Sequence, residues 1–126
     1  MAVWLLLASC AGVTLRPDSV TVIGPEAAAV LLSANTDVLI LDVSPPEEFN
    51  AAHLAGALNV PRSQLWYRMP DLPAEPGRTI LVCDARGERS RSAAFLLRDE
   101  GYYRVHELRG GVAAWLAAGY GSKAGL

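Results

Sequence analysis

The chain has 126 residues, 52% hydrophobic and 19% charged, a balance that builds one domain around one core and excludes both intrinsic disorder and a polytopic membrane protein. Its net charge of -2 gives no basic footprint, so no nucleic-acid partner is expected. Cys10 and Cys83 cannot make a disulfide framework, and His53 and His106 stand alone without metal-ligand spacing, so neither metal nor cofactor is expected.

Met1 to Cys10 is an apolar run followed by small residues, the composition of a secretory leader, although no Lys or Arg precedes it. Leu7-Ala8-Ser9-Cys10 resembles the box at which bacterial lipoprotein signals are cut. Residues 1–19 are therefore expected to be a lipoprotein-type signal and tether, lipidated at Cys10 and anchoring the chain to a membrane. The alternatives are a ragged terminus, or a first strand in a cytoplasmic protein.

From Val20 the pattern is regular. Val20 to Ile23 reads as a short strand, and Gly24-Pro25-Glu26 opens a helix with Ala27, Val30 and Leu31 at helical spacing. Val38 to Leu41 is a continuous apolar run, the pattern of a strand buried on both faces, and is expected at the sheet centre, ending at Asp42. Ser44-Pro45-Pro46-Glu47-Glu48-Phe49 predicts a second helix with Ser44 as its capping hydroxyl. His53 to Pro61 predicts a tight connection into a short strand, with His53 fixing the turn by hydrogen bonds. Residues 62–77 hold three prolines and read as irregular, with one helical turn near Gln64 to Arg68 and with Trp66 and Tyr67 packed on the core or, alternatively, rimming a pocket.

Thr79 to Ser90 is the stretch around which the rest is organised. An apolar strand delivers Cys83 into a polar loop, and a helix over Ser90 to Glu100 follows with Ala93, Ala94 and Leu97 on one face. At such a helix start, backbone N–H groups can curl around a sulfur and favour the thiolate, with Arg86 and Arg89 adding positive charge. Asp84 and Glu88 are expected to face water, since pointing inward they would repel the anion. The competing reading of Cys83 is an inert apolar residue ending a core strand. Tyr103 to Leu108 alternates as a strand exposed on one side, and Val112, Trp115 and Leu116 mark the stripe of a last helix ended by Gly119. Strands alternating with helices predict an α/β fold with a parallel sheet, whose ligands sit beyond the carboxyl ends of the strands.

Four pieces in this order resemble a rhodanese-like domain over about Val20 to Tyr120: Asp42-Val43 with Pro46-Glu47-Glu48-Phe49; His53 to Pro61; the Cys83 loop to Arg89-Ser90; and Leu108-Arg109-Gly110-Gly111 with Ala114-Trp115 and Gly119-Tyr120. The resemblance implies a single domain over residues 20–120, with a five-stranded, mostly parallel sheet, helices on both faces and a tail over 121–126. It implies a sulfurtransferase in which Cys83 takes the outer sulfur of thiosulfate or a persulfide donor and hands it to a thiol or cyanide. Asp84, Ala85, Arg86, Gly87, Glu88, Arg89 and Ser90 would line the substrate, with a salt bridge to Glu47 or Glu48 as the alternative role of Arg89. The family's loop has four residues between cysteine and arginine, whereas five, Asp84 to Glu88, separate Cys83 from Arg89. That longer spacing resembles the loop of cell-cycle dual-specificity phosphatases and arsenate reductases, which gives an alternative activity. A non-catalytic binding domain is a third reading, weighed against because such relatives often lose the cysteine. Ser44 and Ala52 also depart from the family's usual Arg and Gly.

Overall fold

The computed structural model describes residues 20–123. The expected leader and tether over residues 1–19, with Cys10, lie outside them, as do residues 124–126 of the tail. Five strands, β1 (Thr21–Ile23), β2 (Leu39–Asp42), β3 (Leu58–Asn59), β4 (Ile80–Cys83) and β5 (Val105–Leu108), form one wholly parallel sheet in the order β1-β5-β4-β2-β3. The connections carry helices α1 (Pro25–Ala34), α2 (Pro46–Ala51), α3 (Leu65–Arg68), α4 (Ser90–Asp99) and α5 (Gly111–Ala117). The fold class and strand count match the expectation.

Period-two alternation along the central strands divides the interior into two cores. Leu39, Leu41, Ile80, Val82 and Val105 face one side, under Leu65, Met69, Ala93, Ala94 and Leu97. Ile40, Leu81, Cys83 and Leu108 face the other, under Ala28, Leu54, Val112 and Trp115. Cys83 is thus a core residue by strand register. Its partner across the ladder is Asp42, which ends β2 beside it.

Several local expectations are corrected. The sheet centre is β4, with β2 beside it. β5 lies between β1 and β4, so Val105, Glu107 and Leu108 are all buried instead of alternating. In α1 the buried residue is Ala28, while Val30 is 66% exposed, because six hydrophobic residues in a row, Ala27 to Leu32, hide the phase of the helix. Ser44 does not cap α2. The capping position is Pro45, and Ser44 is buried with its amide donating to Asp42 Oδ1 at 2.9 Å. Trp66 and Tyr67 stand 62% and 66% exposed and rim a surface pocket, the alternative reading, since Leu65 and Met69 take the core positions there. The tail begins in contact with the domain: Lys123 bridges His53, and Trp115 Nε1 donates to Gly121 O at 2.8 Å.

Candidate functional site at the end of the central strand

The loop over residues 84–89 leaves the carboxyl end of β4 and turns into α4. Its shape comes from three sources. Gly87 adopts a φ of +83°, which a side chain would strain. The amides of Val112 and Ala113, in the first turn of α5, donate to Asp84 O and Ala85 O, both at 2.9 Å. Gly111 lies directly beneath. A Cβ there would stand 2.7 Å from Gly87 N and 2.9 Å from Ala85 C, so the Gly110-Gly111 pair is what lets α5 approach the loop backbone.

The side chain inside this loop belongs to Asp84. Its carboxylate is fully buried, and Oδ2 accepts the amides of Glu88 at 3.2 Å and Arg89 at 2.9 Å. The Arg89 guanidinium lies 3.9 Å from the same oxygen. The expectation that Asp84 faces water is therefore wrong: backbone donors curled around an anion stabilise a carboxylate as readily as a thiolate. Glu88 does face solvent, and so does Arg86.

Cys83 is also fully buried, but in the apolar core among Ile40, Leu54, Leu81 and Leu108. Burial pushes its thiol well above the ordinary range, and the neighbouring Asp42 and Asp84 carboxylates push it further. The sulfur expected to sit ionised in the loop lies beneath it in the core, where burial disfavours the thiolate. The inert reading of Cys83 describes its placement, and strand register is the physical reason.

The remaining predicted residues have other work. Arg89, half-exposed, reaches Glu48 Oε1 at 3.3 Å, the bracing role given as its alternative. Ser90 is buried and its hydroxyl donates to Glu107 Oε2 at 2.9 Å, which fixes α4 to β5 and takes Ser90 out of the loop. Arg91 Nε donates to Glu107 Oε1 at 2.7 Å, a brace the sequence reading missed. Nothing in the alternating pattern of that strand marks Glu107 as buried. His53 fixes its turn as expected, with Nδ1 donating to Phe49 O at 2.7 Å and its ring stacked on Phe49.

Asp42 was read as a strand end and as part of the family resemblance, with no place in the site, yet it is the second buried carboxylate here. Burial raises its pKa against the lowering by hydrogen bonds from Ser44, and Asp84 raises it further. Asp42 Oδ2 and Asp84 Oδ1 are both buried without a hydrogen-bond partner among the described residues. Outside the loop lies a small pit of about 140 Å³ walled by Glu48, Ala85, Arg86 and Glu88. With two carboxylates at the mouth and Asp84 beneath the loop, it is a poor seat for a dianion.

Counting back from Arg89 with four residues between, the family's own spacing, arrives at Asp84. The loop is not one residue longer than usual. Cys83 belongs to the strand, and the phosphatase and arsenate reductase resemblance loses the extra residue on which it rested.

Residues 25–118 match the family described as Rhodanese-like domain. A sulfurtransferase of Allochromatium vinosum is 33% identical over 97 residues, 77% of this chain and 89% of that protein. The maize adenylyltransferase and sulfurtransferase MOCS3-2 is 34% identical over 82 residues, which span 61% of this chain but 17% of that much longer protein. Among solved structures, the Alr3790 protein from Anabaena sp. superposes with a TM-score of 0.75 at 31% identity, covering 82% of this chain and 81% of that one. Five parallel strands, the loop held against α5 and these similarities agree, and the chain belongs to the rhodanese-like domain family of sulfurtransferases.

Proposed function

We propose that this chain is a binding member of the family, one that does not carry sulfur as a cysteine persulfide. The observation that supports it is the occupant of the loop: the Asp84 carboxylate accepts the two loop amides, while the Cys83 sulfur is buried in the core. Persulfide chemistry needs a thiolate that a donor can reach. Burial disfavours the Cys83 thiolate and shields the sulfur from a donor, and a carboxylate does not attack the outer sulfur of thiosulfate to leave a stable carrier. The family's usual reaction, transfer from thiosulfate or a persulfide to a thiol or cyanide, is the competing reading, favoured by the names of the relatives.

Whole-protein mass spectrometry after thiosulfate exposure separates the two, in a Cys10→Ser background so that only one thiol reports. The expected result is no added sulfur on Cys83 and no thiocyanate formation with cyanide. Asp84→Cys is expected to take up one sulfur mass and to gain turnover, because it sets a thiol in the amide bowl at the family's spacing from Arg89. An added sulfur on Cys83 of the otherwise unaltered chain, with turnover lost in Cys83→Ser, would overturn the binding role. Hydrolysis of an aryl phosphate is expected to be absent.

A further inference from the structure

Beside the loop, at the carboxyl ends of β2 and β3, lies a cavity of about 410 Å³, within the range of small-molecule sites. Val43, Pro45, Pro46 and Pro61 give it an apolar floor, and Arg62 and Arg89 are the charged residues that line it. It has about three times the volume of the pit at the loop mouth, and it lacks that pit's carboxylates. The two arginines differ. Arg89 is already committed to Glu48 and lies close to Asp84, so part of its charge is spent within the protein. Arg62 donates Nε to a neutral partner, Ser92 Oγ at 2.8 Å, which orients the guanidinium on the first turn of α4 without neutralising it.

We propose that this cavity binds a small organic anion: an apolar, ring-sized body on the proline floor, with a carboxylate or sulfonate taken by Arg62. The rings of Pro45 and Pro46, which reach the surface over the buried Val43, supply rigid apolar area that loses no rotamer freedom on binding. A planar guanidinium held at one nitrogen retains donors for an oxyanion. Inorganic thiosulfate or phosphate has no apolar body for the floor. The site supplies a ligand class to the binding role, and so rests on that reading.

The test uses 2-naphthoate and its neutral counterpart 2-naphthamide, titrated into the whole chain by calorimetry and by amide chemical shifts. The acid is expected to bind roughly fivefold or more tightly than the amide, a modest factor because Arg62 is partly solvated. Shifts should centre on Val43, Arg62 and Gln64. Arg62→Gln should remove the preference for the acid, while Ser92→Ala, which keeps the cation and loses only its neutral partner, should retain most of it. Both substitutions are at the surface, and thermal unfolding confirms that the variants remain folded. Equal affinity for acid and amide, an unaltered preference in Arg62→Gln, or shifts centred elsewhere would each overturn the site. Sulfur uptake by Cys83, read by mass on the same sample, would overturn the binding role separately while leaving the ligand data standing.

Discussion

Replacing Asp84 by alanine tests whether the carboxylate is the strut of the loop. Asp84 Oδ2 accepts two amides, at 3.2 and 2.9 Å, and both donors lose their partner in the variant. Hydrogen bonds to a charged group are worth about 1.5–3 kcal/mol each when one partner is deleted, a gross loss of ~3–6 kcal/mol. Against this stands the cost of keeping a carboxylate fully buried with Oδ1 unpartnered, which deletion relieves along with the repulsion on Asp42. The net expectation is a loss of about 2–3 kcal/mol in urea unfolding, with an unchanged dependence on denaturant. Asp84→Asn, which keeps an acceptor oxygen, should lose less. Amide hydrogen exchange gives the local readout: Glu88 and Arg89 should lose protection in Asp84→Ala, while the β4 amides keep theirs. A variant as stable as the parent, or unaltered protection at residues 88 and 89, would refute the strut.

Three further outcomes are expected. Gly111→Ala should displace the loop, because its Cβ would lie 2.7 Å from Gly87 N; lost protection at Val112 and Ala113, whose amides hold the loop carbonyls, would report it, and an unshifted loop in a crystal structure of the variant would count against it. Cys83 should resist iodoacetamide in the native protein and react in denaturant, as read by peptide mass mapping. Cys83→Ser should cost about 1–3 kcal/mol by placing a hydroxyl among apolar side chains, with Cys83→Ala milder, whereas a loop-facing sulfur would tolerate serine better than alanine. Asp42 has a folded pKa above its ordinary 3.8, so the folded state holds that proton longer than the unfolded chain; its contribution to stability is complete below 3.8 and is lost as pH rises through the folded pKa. Asp42→Asn should therefore gain stability relative to the parent as pH rises from acid toward neutral, and a constant or falling difference in urea midpoint would refute the assignment.

Much of the architecture was legible because it rests on local pattern. The apolar residues 39–41 and 80–83 lie in strands buried throughout, and Ala93, Ala94 and Leu97 point inward as their spacing predicts. What failed was phase. An unbroken apolar run does not say which residue faces which core, and so it did not say that Cys83 shares a face with Leu81 while the loop begins at Asp84. The sequence pointed to the right loop and the wrong atom. The same ambiguity hid Ala28 in α1. Asp42 and Glu107 went unrecognised as buried for a different reason: an acidic residue in a strand reads as solvent-facing until the partners are known, Ser44 for one and Ser90 with Arg91 for the other.

A bowl of amide donors selects for negative charge without selecting the atom that carries it. A reactive thiolate must keep one side open to its donor, which limits how tightly the loop can close. A carboxylate that only holds the loop has no such requirement. Asp84 is fully buried, and the adjoining Asp84 and Ala85 carbonyls are capped by the first turn of α5. Exchanging sulfur for carboxylate thus turns the loop from a reagent into a brace, with Arg89 drawn to Glu48 and Asp84. The positive charge left for a ligand is then displaced sideways, to Arg62 above the proline floor. Asp84→Cys and Arg62→Gln should accordingly act on separate properties: the first on sulfur uptake, with naphthoate binding little altered, and the second on naphthoate binding alone. Loss of naphthoate binding in Asp84→Cys with an intact fold would mean that loop and cavity form one site, and this division of roles would fail.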